Sequence, residues 1–367
     1  MRIQNKHYHT IWTDAGKVAS VMIIDQTRLP FTFHVHELFS FRDAFTAVRD
    51  MQVRGAPLIG VTAAYGIWLG LMEMKHNGDL AGNIAGLCSM MKAARPTAVN
   101  PALSLYRLQL LLEQCKDLRA AQKTAFSFAE ALKRNEINAC EAIGEYGLPL
   151  IREIADRKNG KPVNILTHCN AGWLACVDWG TATAPVYKAH REGIPVHVWV
   201  DETRPRLQGS RLTAFELREE GIPHTVITDN AGGHLMQKGM VDMVLTGSDR
   251  TTRRGDVCNK IGTYLKALAA FDNQIPFYVA VPVSSIDMNI RDDSREIPIE
   301  ERAESEVVFI EGKEGKMRIL AEGSPVANFG FDVTPSRLVT GLITEYGICG
   351  AEEKEIVRLL NHDKDPR

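Results

Sequence analysis

The sequence predicts an α/β protein: a Rossmann-like parallel-sheet domain, preceded by a smaller domain with an antiparallel β-meander and a helical bundle. Three observations predict it. Five short apolar runs between Val163 and Val283 each end in a polar or reactive residue. Stretches of helical texture, roughly a dozen residues long, separate most of them, which makes the repeating unit βαβ and the sheet parallel. Upstream, across residues 1–150, three β-rich runs give way to apolar residues at helical spacing.

In chain order, His9–Trp12, Val18–Asp25 and Phe31–Glu37 read as strands, with Asp14-Ala15-Gly16 as the turn between the first two. Helical patterns follow over Phe41–Asp50, Pro57–Met74, Leu80–Ala94 and Pro101–Gln114. Pro57 and Pro101 suit first turns, where a missing N–H breaks no intrahelical bond. A long helical stretch runs from Arg119 to Ala155, and the cluster Arg157-Lys158-Asn159-Gly160-Lys161-Pro162 ends it. The boundary expected near residue 150 gives an N-terminal domain, 1–150, and a Rossmann-like domain, 151–367, that carries the reactive residues.

The five runs come next. Val163–Thr167 leads into His168-Cys169-Asn170, Val196–Val200 into Asp201-Glu202-Thr203-Arg204, and Thr225–Thr228 into Asp229-Asn230. Met243–Thr246 leads into Gly247-Ser248-Asp249-Arg250, and Phe277–Val281 into Pro282-Val283-Ser284. They lack strict alternation, as strands buried on both faces do. Ligands of an open parallel sheet sit outside the carboxyl ends of its strands. Cys169, Asp201, Asp229 and Asp249 are therefore expected along one edge. The charged tail from Ala351 reads as a surface helix with a frayed end.

Composition excludes several classes. With 43 Lys and Arg against 45 Asp and Glu, the formal net charge is -2, which offers no field for a polyanion. Nucleic acid is not an expected partner. Seven cysteines are scattered without a CxxC pair or a disulfide-like framework, which suits a reducing compartment. The opening Met1-Arg2-Ile3-Gln4-Asn5-Lys6 lacks the apolar core of a secretion signal, so a cytoplasmic location is expected. Pro57–Met74 carries one charge, Glu73, and reaches the lower limit for a membrane span. Its small residues and polar flanks favour a buried helix of a globular domain instead, so no membrane partner is expected.

Several residues are chemically placed. Arg54-Gly55-Ala56-Pro57 and Arg95-Pro96-Thr97-Ala98-Val99-Asn100-Pro101 each put a guanidinium before a helix start, where free backbone N–H groups attract an anion. Solvated surface turns would read the same way. Cys169 ends a strand and enters an Asn-Ala-Gly turn, a place for a reactive thiol or for a small buried hydrophobe. His168 precedes it and points to the opposite face of a continuing strand, so the two form no dyad. Asp249 suits a general acid or base, or a partner for Arg250. Lys260 and Asn259, just before a helix, suit an anionic group or a sugar hydroxyl. Cys169, Cys176 and the histidines have no zinc-ligand spacing. Asp229-Asn230-Ala231-Gly232-Gly233 is neither GxGxxG nor a P-loop, so no metal and no nucleotide cofactor is expected.

Taken together, eight stretches resemble the 5-methylthioribose-1-phosphate isomerase family, the aldose–ketose isomerases of methionine salvage. They are RGAPLIG from Arg54, RPTAVNP from Arg95, ILTHCNAG from Ile165, DETRPRLQGSRLTAFEL from Asp201, TDNAGGHLM from Thr228, GSDRTTRRGDVCNKIGTY from Gly247, PFYVAVPVSSID from Pro276 and FDVTP from Phe331. The family is homologous to regulatory subunits of the translation-initiation guanine-nucleotide exchange factor, which are expected to lack the cysteine–aspartate pair. The resemblance implies that Cys169 stabilises the transition state and Asp249 donates a proton. It implies substrate contacts from Arg54, Gly55, Ala56, Arg95, Gln208, Asn259 and Lys260, a homodimer, and a small-molecule sugar phosphate as substrate, with no cofactor. The basic Thr251-Thr252-Arg253-Arg254 and the paired Trp173 and Trp179 depart from many relatives. Both bear on what is accepted at carbon 5 of the sugar. 5-Deoxyribose 1-phosphate, ribose 1,5-bisphosphate and a non-catalytic regulatory role are the alternatives.

Overall fold

The computed structural model of the chain describes all residues except 15–18, 77, 96–98, 291–296 and 363–367. Ala15 and Gly16 of the expected turn, Pro96 to Ala98 of the second arginine loop and the frayed tail lie outside the described residues. Two compact units are present: Met1–Glu141 with Trp173–Gly180, and Ala142–Gly172 with Thr181–Arg367. The helix Leu118–Arg157 contributes to both, with Pro149 inside it.

The first unit contains the expected meander. Ile11–Thr13, Val21–Ile24 and Val35–Leu38 pair antiparallel in that order, with Ile11 opposite Ile23 and Val21 opposite Leu38. All four of those side chains are fully buried. Helix Phe41–Arg49 starts at a capping box in which the Ser40 hydroxyl accepts from the Asp43 N–H and the Asp43 carboxylate accepts from the Ser40 N–H. Helix Ala56–Glu73 is buried almost along its whole length. A helix apolar all round must be enclosed, and Phe41–Arg49, Leu80–Ala94 and Val99–Leu112 pack on it. It is the one helix among the described residues that is long and apolar enough to cross a membrane. Gly66 permits the closest approach: a Cβ there would lie 2.5 Å from Met91 Cε and 2.9 Å from Ala44 Cβ. Trp173–Gly180 is bonded into this unit, the Thr10 backbone N–H donating to the Val177 carbonyl and the Gln26 side-chain amide to the Leu174 carbonyl.

The second unit is built on a seven-stranded sheet. Its spatial order is Gly347–Cys349, Gly341–Thr344, Phe277–Ala280, Met243–Thr246, Val163–Thr167, Val196–Asp201 and His224–Ile227. All neighbours are parallel except the first pair. The five expected runs are its inner and distal strands, in the parallel sense that the spacing implied. Leu166, Val244, Phe277, Val279 and Leu342 pack on one face with Leu235, Met236, Ala267, Ala270 and Ile356. Ile165, Val198, Leu245 and Ile343, offset by one residue, are buried too. Burial on both faces explains the unbroken apolar runs.

A second, four-stranded sheet was not anticipated. It orders Ile286–Asp287, Arg250–Thr252, Val257–Lys260 and Phe331–Thr334. Its strands are two to four residues long and partly polar, so no window of the sequence carries a period. This small sheet carries Asn259 and Lys260 and begins one residue after Asp249.

Candidate active site

Because neighbouring strands are parallel, the ends of Val163–Thr167, Val196–Asp201, His224–Ile227 and Met243–Thr246 lie along one edge. They deliver Cys169, Asp201, Asp229 and Asp249 there.

Cys169 is 8% exposed and sits in the left-handed region at φ +63. A non-glycine residue holds that conformation only when its surroundings fix it. The Cys169 N–H donates to Thr203 Oγ1 at 2.9 Å, and the Thr213 hydroxyl donates to the Cys169 carbonyl at 2.7 Å. Thr203 is itself left-handed, at φ +65. The Asp229 carboxylate accepts from the Thr203 and Arg204 N–H groups, both at 2.7 Å. Asp229, expected along the strand-end edge, thus clasps the turn opposite Cys169. Beneath, the fully buried Glu216 accepts from the Tyr187 hydroxyl at 2.8 Å and the Asn170 amide at 2.9 Å. Burial, reinforced by the Glu216 charge, pushes the Tyr187 phenol well above its ordinary range, so it remains a donor. Gly172 must be glycine, since a Cβ would fall 1.7 Å from Glu216 Oε2.

Asp249 is half-buried, and its N–H donates to the Cys258 carbonyl at 3.1 Å across the Arg250–Thr252 and Val257–Lys260 pairing. Burial and the nearby Asp249 charge push the Cys258 thiol up to about 12, so Cys258 stays neutral. Asn259 and Lys260 are 5% and 7% exposed. The Asn259 amide donates to Thr263 Oγ1 at 3.0 Å. The Lys260 ammonium donates to the Gly330 carbonyl at 2.8 Å and lies 4.7 Å above the Phe331 ring. Gln208 is 5% exposed, and its buried amide oxygen has no hydrogen-bond partner among the described residues. That is an acceptor waiting for a donor, as a sugar hydroxyl would be. Cys169, Asp249, Gln208, Asn259 and Lys260 all belong to the second unit.

Arg54, Gly55, Ala56 and Arg95 belong to the first. Gly55 caps Ala56–Glu73 at φ +87 with no side-chain bond, and a Cβ would lie 2.2 Å from the Ala175 carbonyl oxygen. The helix start therefore carries no capping side chain, which suits an anion. Ala56 is its first helical residue and is 8% exposed, and Arg54 is half-buried. Arg95 closes helix Leu80–Ala94. Trp173 is fully buried inside this unit, so it presents no free apolar surface. Arg253, the sequence hint of a second phosphate site, donates from Nε to Glu353 at 2.6 Å.

Sequence reasoning missed one arrangement. His168 Nδ1 lies 2.8 Å from Asp201 Oδ2, and its Nε2 lies 2.8 Å from the Ile261 carbonyl oxygen. Lys266 Nζ lies 3.0 Å from the same Asp201 oxygen and donates to the Asp229 carbonyl. Thr167 is opposite Val200 in the ladder, so the next step places His168 beside Asp201. Strand register was the signal that would have found the pair. His168, Asp201 and Asp229 bring metal-ligating atoms together, but the Lys266 ammonium already supplies the cation that the carboxylate requires.

Residues 52–351 match the model of the Initiation factor 2 subunit family. The methylthioribose-1-phosphate isomerase of Methylorubrum populi is 55% identical over 366 residues, covering 98% of each chain. Among solved structures, the 5-methylthioribose 1-phosphate isomerase from Pyrococcus horikoshii OT3 superposes with a TM-score of 0.85 at 36% identity, covering 97% of both chains. The translation initiation factor eIF-2B subunit delta from A. fulgidus superposes with a TM-score of 0.81, also at 36% identity, over 97% of this chain and all of that one.

Proposed function

We infer the activity from kinship: the chain belongs to the Initiation factor 2 subunit family, and it is an aldose–ketose isomerase that converts 5-methylthioribose 1-phosphate to 5-methylthioribulose 1-phosphate in methionine salvage. The observation that carries this is near-full-length identity above one half with a relative of that name.

The residue roles are our proposal, resting on the family resemblance and on the placement of Cys169 and Asp249 at strand ends of one sheet. In an aldose 1-phosphate the anomeric oxygen is esterified, so the ring cannot open to a free aldehyde by itself. Asp249, as a neutral acid, protonates the ring oxygen as its bond to carbon 1 breaks; hydrogen then moves from carbon 2 to carbon 1, and the carbon 2 hydroxyl proton returns to the Asp249 carboxylate as the ketone forms. Cys169 stabilises the charge that develops along the way, in a site where a low dielectric strengthens every such interaction. Gln208, Asn259 and Lys260 hold hydroxyl and phosphate oxygens. Arg54, Gly55, Ala56 and Arg95 are proposed as further substrate contacts on the family pattern. We place the reaction in the cytoplasm and the chain in a homodimer.

The test is kcat/KM for three sugar phosphates side by side. Methylthioribose 1-phosphate is expected to give the highest value. 5-Deoxyribose 1-phosphate should follow within roughly 10–200-fold, the range that small apolar differences command. A second phosphate needs a free cation, and Arg253 is engaged by Glu353. Ribose 1,5-bisphosphate as the best substrate would overturn the assignment. Catalysis of none of the three would favour a regulatory sugar-phosphate binder.

A further inference from the structure

We propose that His168 is a positioning residue of the isomerisation: its ring clamps the turn that presents Cys169 to the segment that presents Asp249, Asn259 and Lys260. The inference rests on the roles proposed above for Cys169 and Asp249.

The ring is 1% exposed and spans two elements. On one side stands Asp201, fully buried, whose Oδ2 also faces Lys266 at 3.0 Å. A buried carboxylate beside an ammonium is an acceptor, so Nδ1–H donates to it. On the other side stands the Ile261 carbonyl, which can only accept, so Nε2–H donates to it. Ile261 directly follows Lys260, and the strand Val257–Lys260 receives the Asp249 N–H through Cys258. From Asp201 the path to Cys169 is equally short. The Thr203 hydroxyl donates to the Asp201 carbonyl at 3.0 Å and accepts the Cys169 N–H. One imidazole thus ties both halves of the proposed chemistry.

The backbone accommodates this ring specifically. Gly262 lies at φ +102, and a Cβ there would fall 3.0 Å from His168 Cε1 and 3.1 Å from Nε2. The Asp332 carboxylate fixes that turn by accepting the Gly262 N–H at 2.6 Å and the Tyr264 N–H at 3.1 Å. A histidine serving only to fill the core would need neither a bare α-carbon against its face nor acceptors at both nitrogens.

His168→Asn and His168→Gln divide the clamp. An Asn amide reaches the Nδ1 position and keeps the Asp201 arm; a Gln amide reaches the Nε2 position and keeps the Ile261 arm. Both should lower kcat by about 100-fold, the scale of a misplacement near 1 Å, with KM within about threefold of wild type. Circular dichroism and the melting curve establish the folded fraction, to which kcat is referred. A role confined to stability would lower Tm while leaving kcat per folded molecule within threefold, and that result would overturn the proposal. Should either variant fail to fold, ring-nitrogen NMR of the wild-type protein decides: both His168 nitrogens must carry hydrogen, and one that does not removes an arm of the clamp. Wild type and Cys169→Ser run in the same assay separate the two ideas. An inactive wild type refutes the proposed function, and an active Cys169→Ser refutes the role given to Cys169; only the His168 results bear on the clamp.

Discussion

At the scale of single residues, the proposed chemistry and backbone strain coincide. Cys169 occupies a left-handed backbone position that Thr203, Thr213 and Asp229 hold in place. Such positions cost of order 1–3 kcal/mol and persist where the surroundings over-determine them. A side chain presented this way can change without disturbing the hydrogen bonds that hold it, because those bonds are made by its backbone. Cys169→Ser should therefore fold as wild type and lose at least ten-fold in kcat, and Asp249→Asn should do the same. Retention of more than about a tenth of kcat in either would mean the residue supplies under roughly 1.4 kcal/mol of barrier lowering, too little for its proposed role.

At the scale of elements, the loop that carries Gln208 is tied to a distant stretch of chain through one carboxylate. Arg206 Nη1 donates to Glu306 Oε1 at 2.8 Å, and Arg302 Nη2 donates to the same oxygen at 2.8 Å. Burial pushes the Glu306 carboxyl up, but the guanidinium groups of Arg302 and Arg206 outweigh it and hold it down to about 2. A carboxyl depressed in the folded state stabilises the fold above its unfolded value, which is 4.5, and the contribution fades as pH falls toward 2. Thermal unfolding of wild type against Glu306→Gln should show a gap of roughly 1–3 kcal/mol at pH 6 that narrows between pH 4.5 and 2. A gap independent of pH would show that shape and not charge matters there. The same scale explains an omission. The strands Arg250–Thr252 and Val257–Lys260 are too short and too polar to announce themselves, yet their pairing sets where Asp249, Asn259 and Lys260 stand.

At the scale of the whole molecule, helix Thr263–Asp272 leaves Leu265 63% and Phe271 65% exposed. Exposed large apolar side chains of this kind favour self-association. Sedimentation at micromolar concentration should give a species of twice 40.8 kDa, and charged substitutions at Leu265 and Phe271 should weaken it. A pure monomer would remove the homodimer. What the sequence determined by itself was the order of the principal elements and the edge along which the proposed site residues lie. Short apolar runs separated by helical stretches read as strands buried on both faces, and parallel strands bring their last residues to one edge, so the placement of Cys169 and Asp249 was legible from spacing. The helix Ala56–Glu73 was legible for the same reason, since an unbroken apolar stretch with small residues has to be enclosed. Tertiary structure alone decided the partners of those residues. It made Asp229 a backbone clasp, engaged Arg253 with Glu353, buried Trp173, and set His168 between Asp201 and Ile261. Those outcomes depend on strand register and on contacts between segments 25 to 100 residues apart, which no local period encodes.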